Sequence, residues 1–292
     1  MSETITIIVA LVGVFSMFGK SLDRYNISPP MVFISIGILT GSFLRQVPAT
    51  DNSTNMEIVL LVAELTLIVV LFHDASTVQI RDLYVSFPTR MLAIGLPMTL
   101  ILLYYTTAAL MPFLGLHGAL LIAAALTPTD AGLGAPTILN PAVPSRVRQA
   151  LNVESGINDG LITPIVLIAI EGLARSAGNS GTPDIPSVAL VPISIAIGLA
   201  AGIAPVYAMV LDHSAEQKWS TFSGRSIAIV MLPLLMWGLS IATGANSFIA
   251  AFLAGGFFGY FSKSLHSDHA LPELLEAVAD FLSYCAWFFA GG

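Results

Sequence analysis

Apolar runs follow one another along almost the whole of this chain, near residues 4–20, 29–44, 56–73, 91–112, 116–139, 149–172, 187–211, 226–243, 246–262 and 273–290. A helix that crosses a bilayer needs about 20 predominantly apolar residues, and these runs approach that length. They are continuous and rich in Leu, Ile, Val and Ala, unlike the short alternating segments of a membrane barrel. The expected fold is therefore all-α, a polytopic membrane helix bundle. Only 10% of residues are charged and mean hydropathy is +0.85, too little polarity to cover a soluble particle of 292 residues. The formal charge of −7 argues against nucleic-acid partners, which require a basic surface, and the single Cys285 excludes an internal disulfide framework.

The basic residues orient the bundle. No Lys or Arg precedes the first run and Lys20 and Arg24 follow it, which reads as an uncleaved anchor with its N-terminus outside. Ten crossings then put nine of the eleven Lys and Arg residues in inner loops and leave Arg45 and Arg175 outside. One missed helix would invert every later loop and destroy that bias. Loop chemistry fits the boundaries: Asn26-Ile27-Ser28-Pro29-Pro30 turns into the second run, Asp51 to Thr54 caps the third, and Asn179 to Asp184 forms the longest outer linker.

The fifth run should not be a regular helix. Pro128, Gly132, Gly134 and Pro136 fall within nine residues, beside Thr127-Pro128-Thr129-Asp130. Proline removes a backbone donor and crowds the preceding turn, so a break is expected near Thr129. Unwound backbone at membrane depth is tolerated where it is buried in protein or lines a wet cavity, and it frees carbonyls and hydroxyls to coordinate a cation. Asp130 sits at that break; the plainer alternative is a proline kink with Asp130 as a cap. An aspartate at the centre of a spanning helix is penalised by roughly 2.5–3.5 kcal/mol on insertion scales, which makes such an acid a functional candidate.

The sixth run carries Glu154-Ser155-Gly156-Ile157-Asn158-Asp159-Gly160. Residues four apart share a helix face, so Ser155 aligns with Asp159 and Glu154 with Asn158. The first pair offers hard oxygen ligands to a small monovalent cation; the second could hydrogen-bond internally or glue helices together. Outside these runs, His73-Asp74 lies at the inner end of the third, either a solvated helix end or an entrance or pH-sensing group. Glu64 in the same run could face the bundle interior or satisfy a helix–helix hydrogen bond. Gly255 and Gly259 suit close helix packing or a dimer contact, and Trp219, Trp237 and Trp287 suit interfacial anchoring or core filling. The five histidines lack metal-ligand spacing apart from His266 and His269, three apart beside Asp268 in what reads as a solvated loop, and Ser155-Gly156 lacks the flanks of a nucleophile elbow, which argues against an enzyme.

Thr127-Pro128-Thr129-Asp130, Pro144-Ser145-Arg146-Val147-Arg148 and Leu151 to Gly160 together resemble the threonine-aspartate and asparagine-aspartate signatures of monovalent cation:proton antiporters, in the branch of prokaryotic sodium/proton antiporters and sodium/hydrogen exchangers. Similarity also runs through Leu71 to Ala75, Arg90 to Pro97 and Gly244 to Gly256. The resemblance implies secondary active exchange of a monovalent cation, sodium first, for protons, with no cofactor. Asp159 would be the principal ion-binding and proton-carrying carboxylate, Asp130 a second acid, and Thr129 and Ser155 ligands. Asn158, where electrogenic relatives carry aspartate, implies electroneutral exchange, with Glu154 as its scaffold.

The resemblance also divides the chain. Residues 1–90 and 213–292 would form the dimerisation half, 91–175 a partial ion-binding core with the broken fifth helix, and 176–212 a linker. Whole family members carry further core helices, including an arginine-bearing one, so the chain reads as an N-terminal portion truncated after about ten spans. The implied setting is the plasma (inner) membrane of a prokaryote, in contact with the lipid bilayer, as a homodimer when complete. The rival readings are a truncated, non-transporting structural or regulatory partner and a passive cation channel.

Overall fold

The computed structural model describes residues 2–23, 27–44, 52–77, 87–128, 142–144, 147, 162, 165–166, 168–170, 172–174, 176, 185–267 and 270–292. The described elements are helical: α1 (Ser2–Asp23), α2 (Pro29–Leu44), α3 (Asn52–Thr77), α4 (Phe87–Leu110), a 3-10 turn (Pro112–Leu114), α5 (Gly115–Leu126), α6 (Ile185–Glu216), α7 (Phe222–Thr243), α8 (Ser247–Phe261), α9 (Lys263–Ser267) and α10 (Ala270–Gly291). Four helical stretches are long and apolar enough to span a membrane by themselves: Glu57–Thr77, Val191–Glu216, Phe222–Thr243 and Ala270–Gly291. Three shorter apolar helical stretches, Thr6–Gly19, Pro29–Gly41 and Ser247–Phe261, match three more of the expected runs. The fourth and fifth runs meet at a bend of 100° through the 3-10 turn, with Gly115 at φ +65°. Most of the sixth run lies outside the described residues.

Local chemistry sets several ends. Thr221 caps α7 by accepting from Gly224 N–H at 3.1 Å, and Gly244, in the left-handed region, closes the helix onto Ser240 O. Asn246 caps α8 by accepting from Phe248 and Ile249 N–H at 3.1 and 3.0 Å. The short α9 was expected to be loop. It owes its start to Asp212, 51 residues away on α6, whose carboxylate accepts from Lys263 N–H at 2.7 Å and Ser264 N–H at 2.9 Å.

The bundle is organised about α3, α8 and α10. Helix α8 lies between α3 and α6, while α10 packs on α2 and α3. Backbone approach explains the seam: a Cβ on Gly255 would meet the carbonyl oxygen of Phe72, and one on Gly259 that of Ser76. The expected close-packing pair is thus used within the chain, against α3. On the other side of α8, Ala196, Ala200, Ala204 and Ala208 of α6 recur every four residues and are fully buried. Val69, Phe72, Ile229, Leu232, Met236, Ala254, Phe258 and Leu275 complete the main core. A second cluster joins α1, α2 and α10, where the Phe33 ring stacks on Tyr284 at 4.7 Å and meets Phe15 edge-on at 5.3 Å.

Candidate functional site

The acids singled out from the sequence divide into two groups. Thr129, Asp130, Glu154, Ser155, Asn158 and Asp159 lie outside the described residues, as does the basic pair Arg146 and Arg148; His73, Asp74 and Glu64 lie within them. The approach to the first group is visible from both sides. Helix α5 ends at Leu126, and Thr127, buried, donates its hydroxyl to Ala123 O at 2.6 Å as the chain enters Pro128. Helical geometry therefore stops just before the proline, as the lost donor at that position requires. Beyond the second motif, Ile162 and Ala169 are buried. A Cβ on Gly172 would meet the ring of His117, so the start of the fifth run touches the far end of the sixth.

At the end of α3, His73 Nδ1 and Asp74 Oδ1 are 3.0 Å apart, with the side chains 17% and 21% exposed. A freely solvated helix end would show far more. Helix α10 packs on α3, and from it Glu276 and Asp280 lie close enough to act on the His73 ring electrostatically. Ser76 and Thr77 donate their hydroxyls to the carbonyls of His73 and Asp74 at 2.8 and 2.9 Å, satisfying acceptors that the helix end leaves open. Sequence reasoning passed over Glu276 and Asp280 as part of an apolar run. Their spacing of four on one face of α10 was the available signal.

Glu64 is half-buried. Two residues on, Thr66 donates to Val62 O at 2.7 Å and to Leu282 O at 3.2 Å, so a threonine makes the α3–α10 hydrogen bond. Among the described residues no three His, Cys, Asp or Glu side chains converge as a metal site. Asp212, at 8% exposure the most enclosed acid described, caps α9 as stated above.

Comparison with known proteins joins these observations. A family profile described as "Sodium/hydrogen exchanger, transmembrane" matches residues 7–291. A Na(+)/H(+) antiporter of Schizosaccharomyces pombe is 28% identical over 184 residues, 60% of this chain and 39% of that protein. An uncharacterized Na(+)/H(+) exchanger of Mycobacterium tuberculosis is 31% identical over 202 residues, 68% of this chain and 35% of the relative. The K(+)/H(+) antiporter NhaP2 of Shewanella sp. is 24% identical over 272 residues, 92% of this chain and 45% of its own. The matched regions thus span less than half the length of each of these relatives. With apolar helices of spanning length and a profile match over nearly its whole extent, the chain is an integral membrane protein that belongs to the sodium/hydrogen exchanger family.

Proposed function

We propose that this protein exchanges a monovalent cation for protons, with Asp159 as the carboxylate that the two ions occupy in turn. The observation that carries the reading is the pair of motifs, Thr129-Asp130 and Ser155 with Asn158-Asp159, inside a chain matched along residues 7–291 by an exchanger family. The described residues frame the two motifs: the start of the fifth run meets the far end of the sixth where a Cβ on Gly172 would touch His117, and in sequence Asp130 follows His117 by thirteen residues while Asp159 precedes Gly172 by thirteen.

The chemistry follows from desolvation. A half-buried aspartate holds its proton more tightly than a solvated one, which brings its titration toward physiological pH and lets H⁺ and an alkali ion compete for one site. Alternation between the two sides only when the carboxylate is neutralised yields obligatory exchange. Thr129 and Ser155 would add oxygen ligands, and Asn158 in place of a third acid favours one cation per proton. Sodium is our first choice of cation; the Shewanella relative is named for potassium, and the choice rests on cavity size and ligand number.

The division into a dimerisation half, a linker on α6 and a core on the fifth and sixth runs rests on the family resemblance; within the described residues, α8 packs on α3 and α6, and α10 on α2 and α3. The basic-residue bias favours an N-terminus outside, and the family resemblance implies the plasma membrane of a prokaryote as the setting.

Everted vesicles test the proposal. After a respiratory pH gradient is established, added sodium should collapse it, and Asp159→Asn should abolish the collapse. A current without coupled proton movement would identify a passive channel; no response from wild-type protein would leave the structural-partner reading standing.

A further inference from the structure

The turn joining α6 to α7 adopts a backbone shape that its sequence does not favour. Lys218 has φ +58°, the left-handed region, and is the one described non-glycine residue with positive φ. The turn closes α6 through Gln217 N–H to His213 O at 3.0 Å, Lys218 N–H to Ala215 O at 3.1 Å and Trp219 N–H to Ser214 O at 2.9 Å. Glycine would complete that closure without strain, so closure alone does not explain a lysine there. The turn brings Trp219 back over the end of α6, where its indole meets the His213 ring edge-on at 5.3 Å. The indole is nonetheless 75% exposed, and Phe222, three residues on, is 46% exposed.

The junction between α8 and α9 is tied to the same helix end. Asp212, adjacent to His213, takes Lys263 N–H, Ser264 N–H and, at 3.4 Å, the Ser262 hydroxyl. Its charge is met by main-chain donors, which leaves the Lys263 ammonium without that carboxylate as a partner. Both Lys218 and Lys263 are exposed, and neither forms an ion pair among the described residues. Arg225, partly buried, adds a third positive charge in the first turn of α7, and Glu216, exposed, a negative one at the end of α6. Since α6 and α7 are consecutive helices of spanning length, the turn between them stands at a membrane surface. Indoles favour the headgroup layer, and basic residues beside it attract anionic lipid.

We propose that this corner is a docking surface for an anionic phospholipid headgroup, with Trp219 and Phe222 seated in the interfacial layer and Lys218 and Lys263 holding the phosphate. The inference needs only the membrane placement of α6 and α7 and stands apart from ion exchange. The chain is reconstituted in nanodiscs containing either brominated phosphatidylglycerol or brominated phosphatidylcholine at equal mole fraction. The Trp219 signal is taken as the difference between wild type and Trp219→Phe. The anionic phosphatidylglycerol should quench it at least twofold more, and Lys218→Gln/Lys263→Gln should erase the preference. Lys218→Gly/Lys263→Gln, which also relieves the backbone, should behave alike. Equal quenching by the two lipids, no quenching by either, or a preference that survives both double variants would overturn the proposal.

Discussion

Helices α4 and α8 are both predominantly apolar, yet the fold treats them in opposite ways. Seven of the residues of α8 are buried, including Ala250, Ala251, Ala254, Gly255 and Gly259. Along α4, no residue from 94 to 110 is buried, and Ile94, Met98, Ile101, Leu102 and Tyr105 point outward. In a bilayer the surroundings are as apolar as leucine, so hydropathy does not decide which helix is interior. Small residues at a spacing of four do, because they let two backbones meet and gain dispersion contacts that lipid cannot match.

The sharpest way to break that comparison is to swap sizes. Gly255→Leu sets a side chain against the Phe72 carbonyl and should destabilise the bundle by about 3 kcal/mol, read as a loss of monodisperse protein in detergent. Removing a connection is gentler: Asp212→Ala strips two main-chain donors of their acceptor at the start of α9 and should cost about 2 kcal/mol in thermal denaturation, with Asp212→Asn recovering part of it. Thr66→Val deletes the hydrogen bond to Leu282 O while keeping shape, with an expected loss of about 1 kcal/mol. Smallest of all should be Gly95→Ala in α4, where an added Cβ meets nothing within 4 Å; helix propensity predicts a gain of up to about 1 kcal/mol. A large loss at Gly95 would mean that α4 is packed as tightly as α8.

What could be read in advance follows the same division. Local signals worked: Pro29-Pro30 opens α2 and Leu44 ends it at the expected limits, and the Gly255 and Gly259 spacing marked a packing face. Nonlocal ones did not. Helix α6 runs to Glu216, past the expected end at 211, because Asp212 turns inward to cap a helix that begins 51 residues later, and hydropathy treats an aspartate as an exit. The same partnership made α9 look like loop. His73 and Asp74 could be placed at the end of α3, but the negative charges that act on the His73 ring, Glu276 and Asp280, come from α10, about two hundred residues away. The candidate ion-site acids Asp130 and Asp159, which the high cost of acids in an apolar run picks out in the sequence, lie outside the described residues.

Competition between two ions for one carboxylate is the central claim, and the pH dependence of sodium affinity measures it most directly. In proteoliposomes, the sodium concentration giving half-maximal exchange should rise about tenfold for each unit by which the pH falls on the acid side of the site's titration, while the maximal rate stays constant. A half-maximal concentration independent of pH, with acid lowering only the maximal rate, would contradict a shared site at Asp159.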